Sequence, residues 1–183
     1  MRRGGFMSRN LAICGKQGSG KTHFAKQLED SGWLRFSIAD PIKYLGQLAY
    51  PDSDKLDECA EIHGEKFTIR ELYQIIGASV RSFDELFWLR ILFNRIDAAE
   101  DTGRGIVVDD VRTPIEAEML KLRGFIVVKI HADDDLREAR AGRLVGEEDI
   151  TETAVDSIEA DITLKDNASM REWLDLFKLR VKA

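Results

Sequence analysis

The chain has 183 residues, 44% hydrophobic and 33% charged, with 27 basic against 33 acidic side chains. That length suits about one domain with a core that needs no disulfide or metal, and the apolar share excludes a disordered chain. The net charge of −6 argues against nucleic acid or an anionic membrane as the main partner.

No apolar run approaches the ~18 residues of a membrane span. Cys14 and Cys59 are too few and too unpatterned for a disulfide framework or a zinc site, and His23, His63 and His131 show no metal-binding spacing. A soluble protein of the reducing cytoplasm is expected. The opening MRRGGFM lacks the apolar segment and cleavage site of a signal peptide, so residues 1–8 are expected to be a tail.

In chain order, residues 10–14 (NLAIC) form a short apolar run ending at a glycine, which predicts a buried strand. Residues 21–30 carry Phe24, Ala25 and Leu28 at helical spacing, and Gly32 follows. A weaker strand is expected at 33–38. Residues 106–108 and 125–130 (FIVVKI) are β-branched and nearly continuous, with a helix between them that has Pro114 at its start and Gly124 past its end. A fifth strand at 162–164 precedes an amphipathic closing helix through Trp173, Leu174, Phe177 and Val181. Strands alternating with helices imply a parallel sheet covered on both faces. Residues 40–104 break that rhythm and read as a wholly helical lobe, with Ile69, Leu72, Tyr73 and Ile76 and then Leu86, Phe87, Leu89 and Leu92 at helical spacing.

Gly15-Lys16-Gln17-Gly18-Ser19-Gly20-Lys21-Thr22 matches G-x-x-x-x-G-K-[ST] without exception, where a strand ends and a helix begins. Glycines let the backbone curl so that consecutive N–H groups point at phosphate oxygens, and the helix N-terminus adds partial positive charge. In this arrangement Lys21 bridges the β- and γ-phosphates of ATP and Thr22 offers its hydroxyl to Mg²⁺, with Gly15, Gln17, Gly18, Ser19 and Gly20 lining the loop. A metal also needs a carboxylate, and Asp109 and Asp110 end the strand at 106–108. Successive strand residues face opposite ways, so only one of the two can face the site. The D-x-x-G and N-K-x-D elements of a GTPase are absent: none of the fourteen glycines has Asp three positions earlier, and no Asn precedes Lys.

Further motifs narrow the class. They are Ala39-Asp40-Pro41-Ile42-Lys43, then Thr68-Ile69-Arg70-Glu71-Leu72 through Gln74 and Gly77 to Arg81, then Trp88. Asp110-Val111-Arg112 with Glu116 follows, and Ala160-Asp161 and Asn167 precede the last helix. With the phosphate loop, these make the chain resemble the phage-type deoxynucleoside monophosphate kinase family, within the P-loop nucleoside monophosphate kinase group. The resemblance implies an α/β, three-layer P-loop fold: a five-stranded parallel sheet flanked by helices, with a helical monophosphate-binding insertion and a lid. It implies a single domain over 1–183, with a core of 9–39 and 105–183, an acceptor lobe at 40–104 and a lid near 137–158. It also implies transfer of the ATP γ-phosphate to a deoxynucleoside monophosphate, with nucleotides as partners; the alternatives are the same chemistry on another small acceptor, such as dephospho-coenzyme A or a metabolite alcohol, and a nucleotide-dependent switch with no acceptor. A homodimer is compatible with it. One departure stands out: the family's His-x-x-Glu is replaced by Asp149-Ile150-Thr151-Glu152.

On the acceptor side, Arg70 and Gln74 share one helix face, where a guanidinium can grip phosphate and an amide can meet a base edge. Both are equally ordinary solvated helix positions. Arg81 is a second candidate phosphate ligand. Asp40 is a candidate substrate contact or the N-cap of the helix begun by Pro41, and Lys43, one turn on, reaches toward the acceptor phosphate. Trp88 is a candidate to stack on a base or to pack the lobe. Arg112, just past Asp110, is expected near the transferring phosphate. Arg137, Arg140 and Arg143 recur every third residue on one helix side, as lid cations over the triphosphate or as surface partners of Asp133, Asp134 and Glu147. Gly142 and Gly146 are candidate hinges for the lid.

Overall fold

The computed structural model describes residues 10–99, 102–141, 154–165, 169 and 171–175. The chain forms two compact units, residues 1–36 with 98–183, and residues 37–97.

The first unit is built on five strands: β1 (Leu11–Cys14), β2 (Leu34–Phe36), β5 (Ile106–Val111), β6 (Ile126–Ile130) and β7 (Ile162–Leu164). They lie in the order β2-β5-β1-β6-β7, and every pairing is parallel. Strand β1 is central and fully buried because the chain leaves it first to one side and later to the other. The carboxyl end of such a switch point is where an open parallel sheet binds ligands. Alternation along the strands puts Leu11, Ile13, Val107, Val128 and Ile130 into one core cluster with Phe24, Ala25 and Leu28 of α1 (Lys21–Glu29), and with Leu174. Helix α5 (Pro114–Leu122) buries Ala117 and Leu120 and starts with a capping box between Thr113 and Glu116. Helix α6 (Asp134–Ala141) follows β6. The closing helix is seen at residues 171–175, and Phe177 and Val181 lie outside the described residues. So do Gly142, Arg143, Gly146, Asp149–Glu152 and Asn167.

The strand expected at 106–108 runs on to Val111, whose partner is Cys14 of β1. Both aspartates therefore lie inside a strand rather than beyond its end. The segment before β5 belongs with the sheet because Arg104 is pinned there. Its Nε donates to the Gly32 carbonyl at 2.6 Å and its Nη2 to the Trp33 carbonyl at 3.2 Å. A compact lobe thus spans residues 37–97, where 40–104 was the expectation.

That second unit is not wholly helical. Between α2 (Asp40–Ala49) and α3 (Ile69–Phe83) stands an antiparallel hairpin, β3 (Glu58–Ile62) and β4 (Glu65–Thr68). Its two-residue turn has His63 at φ +56 and Gly64 at φ +82, the doubly positive geometry that matches strand twist. A cross-strand ion pair between Lys66 and Glu58 at 2.8 Å spans the pair. A Thr68–Glu71 capping box starts α3. Helices α2 and α3 run antiparallel, because Gly46 abuts Tyr73 while Ile42 abuts Gly77. Helix α4 (Phe87–Asp97) buries Trp88, Leu89, Leu92 and Ile96.

Candidate functional site

In the first unit the loop after β1 carries the constellation read from the sequence. Gly20 is the N-cap of α1 and no side chain caps the helix, which leaves first-turn N–H groups for an anion. Gly15 sits at φ +147, and a Cβ there would lie 2.4 Å from the Ile130 carbonyl oxygen. Gly18 sits at φ +77, and a Cβ there would lie 2.6 Å from the carbonyl oxygen of Arg137. Both positions exclude a side chain, so the loop closes tightly on β6 and α6. The Lys21 ammonium crosses the loop and donates to the carbonyl oxygens of Gly15 at 2.5 Å and Lys16 at 2.7 Å. Ser19 is buried, and among the described residues its hydroxyl has no hydrogen-bond partner. A curled glycine backbone, an uncapped helix start, a lysine over the loop and an orphaned buried hydroxyl together fit a polyphosphate. Thr22 is exposed in the first turn of α1. Gln17 is half-buried at the loop's tip.

Helix α6 meets this loop from outside. Arg137 is 3% exposed, its Nε donating to the Gln17 carbonyl at 2.9 Å and its Nη1 to Asp134 Oδ1 at 2.6 Å. Arg140 is exposed and donates from Nη1 to the Ser19 carbonyl at 3.4 Å. The two arginines therefore act differently: one is sealed beneath the loop, the other is open to solvent. A cavity of about 60 Å³ beside Arg137 is lined by Gly15, Lys16, Ser19, Lys129, His131 and Asp156, among others. Lys16 closes one side of it through an ion pair to Asp156 at 2.8 Å.

Asp109 and Asp110 stand where β5 carries one residue more than β1, between the pairs Ala12–Val108 and Cys14–Val111, so the strict alternation expected of them is interrupted there. Asp109 is buried, and Val107, two residues before it, packs in the cluster with α1. Arg35 of β2 donates from Nε at 2.9 Å and Nη2 at 2.5 Å to Asp109 Oδ2, and lies 3.7 Å from Glu29. Burial works against the guanidinium's charge, but the two carboxylates outweigh it and raise its pKa. Asp110 is half-buried. Arg112 is exposed just past the strand, and its backbone N–H donates to Glu116 Oε2 at 2.8 Å. Glu116, itself buried, so fixes the backbone that presents Arg112. Among the described residues no three His, Cys, Asp or Glu side chains form a metal-binding group by themselves.

In the second unit Asp40 is the first residue of α2, and the N-cap is Ala39. The Asp40 carboxylate does not cap the helix. It accepts instead from Arg95 Nη1 at 3.0 Å and from the Ser37 N–H at 3.2 Å. Lys43 donates to Ser37 Oγ at 3.4 Å and lies 3.8 Å from Asp40. Arg70 is half-buried and Gln74 exposed, one turn apart on α3. Arg81 folds back along α3, its Nη1 3.6 Å from where a Cβ on Gly77 would sit. Trp88 is 2% exposed, donates from its indole N–H to the Gly77 carbonyl at 3.2 Å and meets Phe87 edge to face. Of its two readings, core packing describes this geometry and base stacking does not.

Arg35, Ser37 and Arg95 are among the residues of these networks that escaped the sequence reading. Arg35 carried a signal, a lone charge between the apolar residues of a short strand. Ser37 and Arg95 carried none.

A family model described as deoxynucleotide monophosphate kinase matches residues 47–176. The match begins past the phosphate loop, so motif and family model are separate lines of evidence. No curated protein matches the chain. Among solved structures, dephospho-CoA kinase from Campylobacter jejuni is similar at 16% identity over 96% of this chain and 98% of that one, with a TM-score of 0.53. A gluconokinase from Sinorhizobium meliloti 1021 gives 15% identity, 99% and 96% coverage and a TM-score of 0.54. Shikimate kinase from Acinetobacter baumannii gives 16%, 94% and 93%, and 0.52. At these identities the likeness shows a shared P-loop kinase fold. No helix among the described residues is long and apolar enough to cross a membrane.

Proposed function

The chain belongs to the deoxynucleotide monophosphate kinase family, and from that premise we propose that it transfers the γ-phosphate of ATP to a deoxynucleoside monophosphate, giving ADP and the diphosphate. Kinase chemistry follows from the family; the acceptor and the residue roles are our reading. The observation that carries the donor side is the loop at 15–22, whose curled backbone and orphaned Ser19 hydroxyl suit a triphosphate.

In this reading Gly15, Gln17, Gly18, Ser19 and Gly20 cradle the phosphates, and Lys21 leaves its own loop carbonyls for the β- and γ-phosphate oxygens. Thr22 would hold Mg²⁺ together with Asp109, whose partner Arg35 also reaches Glu29 of α1, rather than Asp110. When bound, the ion neutralises charge on the phosphates. Arg35 orients Asp109. Arg112 and Arg140, both exposed, would stabilise charge on the transferring group, while the buried Arg137 positions the loop. Lys43, Arg70 and Arg81 would hold the acceptor phosphate, with Gln74 toward the base. An acceptor phosphate arrives already ionised, so its oxygen attacks the γ-phosphorus as the bond to the β-phosphate oxygen breaks. No base and no covalent intermediate are needed.

A coupled ADP-release assay across the deoxynucleoside and ribonucleoside monophosphates tests this, with dephospho-coenzyme A, shikimate and gluconate as rival acceptors. The expected result is turnover that depends on a monophosphate and is lost in Lys21→Ala, whose urea midpoint stays near the parent's. ADP release that no monophosphate raises above background, or near-normal turnover in Lys21→Ala, would overturn the proposal.

A further inference from the structure

The glycine loop carries two lysines, and the chain itself takes up both ammonium groups. Lys21 donates to the carbonyl oxygens of Gly15 at 2.5 Å and Lys16 at 2.7 Å. Lys16 pairs instead with Asp156 Oδ2 at 2.8 Å. Lys16 has no part in the mechanism, yet it stands at the start of the loop's curl, where its carbonyl oxygen also accepts from the Ser19 N–H at 3.2 Å. Asp156 lies in the short turn Val155–Ser157. Val155 and Ile158 are buried, and Lys129 of β6 donates to the Asp156 carbonyl oxygen at 3.3 Å. The backbone of Asp156 is therefore held, while its carboxylate is 65% exposed and the Lys16 side chain 37%. Gly15, Lys16, Ser19 and Asp156 line one cavity, and the buried Ser19 hydroxyl has no hydrogen-bond partner among the described residues.

An ion pair this exposed is weak and open to exchange. A triphosphate chain offers the same ammonium several ionised oxygens where a carboxylate offers a single charge. We propose that Lys16 is a further ligand of the donor's phosphate chain, and that Asp156 is the internal counter-anion it exchanges for that chain. This rests on reading the loop as the donor site and adds to it a residue pair that sets its affinity. After the exchange the Asp156 carboxylate stays beside the loop, because Lys129, Val155 and Ile158 hold its backbone. Asp156 thus opposes the donor twice, by occupying Lys16 and by repelling the phosphates.

The test measures the Kd of a fluorescent ATP analogue in the full chain, with inorganic tripolyphosphate as competitor. Asp156→Asn is expected to bind the analogue about 2- to 5-fold more tightly, the scale of one exposed ion pair. Lys16→Met should bind it weaker by a similar factor. In the Lys16→Met background, Asp156→Asn should give a smaller gain than in the parent, because the contest for Lys16 is gone and only repulsion is relieved. Competition by tripolyphosphate should shift in parallel, since the phosphate chain alone takes part.

A merely structural pair predicts the opposite sign, with Asp156→Asn loosening the loop and weakening binding. That result overturns the inference while the loop still binds nucleotide. So does a parental Kd in either single variant, an equal gain from Asp156→Asn with and without Lys16, or unchanged competition by tripolyphosphate. A parent that binds neither the analogue nor tripolyphosphate instead overturns the donor-site reading, before any variant is made.

Discussion

Arg137 Nε donates to the carbonyl oxygen of Gln17 at 2.9 Å, tying the first turn of α6 to the tip of the glycine loop. Gly18 packs against the same arginine's backbone, so the loop cannot shift without moving α6. Arg140, one turn on, reaches the Ser19 carbonyl from solvent. Arginines that look equivalent in sequence therefore predict different phenotypes. Arg137→Met should lower the melting temperature and weaken binding of a fluorescent ATP analogue about 10- to 100-fold, the range for hydrogen bonds involving a charged group. Arg140→Met should keep the melting temperature and lower kcat by about a hundredfold. Identical effects on stability from both would contradict the division.

The tight contact at Gly15 predicts that alanine is not tolerated. Its Cβ would meet the Ile130 carbonyl at 2.4 Å in a backbone conformation that L side chains rarely adopt. Gly15→Ala should lose about 1–3 kcal/mol of stability, read from urea unfolding, and most of its affinity for the ATP analogue. A variant as stable as the parent would show that the loop relaxes more readily than its contacts suggest.

Breaking the Arg35–Asp109 pair from one side leaves a buried carboxylate without its partner. Arg35→Met should cost about 2–4 kcal/mol, below the full penalty of a sealed pair because the arginine is 28% exposed. The double variant Arg35→Met with Asp109→Leu should recover part of that stability while losing activity. Equal unfolding midpoints for Arg35→Met and the parent would place the pair among inert surface contacts.

Burial pushes the Cys14 thiol up to about 11, with Lys129 and Lys21 opposing the shift. The native thiol therefore stays protonated through neutral pH. Iodoacetamide at pH 7.5 should label Cys14 only after denaturation, as followed by peptide mass spectrometry. The sign of the linkage follows. The unfolded thiol ionises near its ordinary 9.0, before the folded one, so folded stability falls as pH rises from about 9 toward 11. Rapid native labelling of Cys14 would mean the strand end opens.

The phosphate loop was readable because its chemistry is local. Eight consecutive residues supply the curl, the lysine and the hydroxyl, and short apolar runs on either side supply the strand and helix. Strand β7 and helix α5 were equally legible from their own residues. The hairpin at 58–68 was not, since Glu58, Glu61, Glu65 and Lys66 hide its alternation behind charges. Its turn did leave a trace in His63-Gly64.

Sequence alone thus determined the phosphate-binding element and the alternation of strands and helices, because each depends on neighbours along the chain. Tertiary structure decided which charges meet. Arg35 finds Asp109 across 74 positions and Arg95 finds Asp40 across 55. It also decided that Arg137 is sealed while Arg140 is open. Such pairings are made by strand register and helix packing, which bring together groups that no local spacing connects.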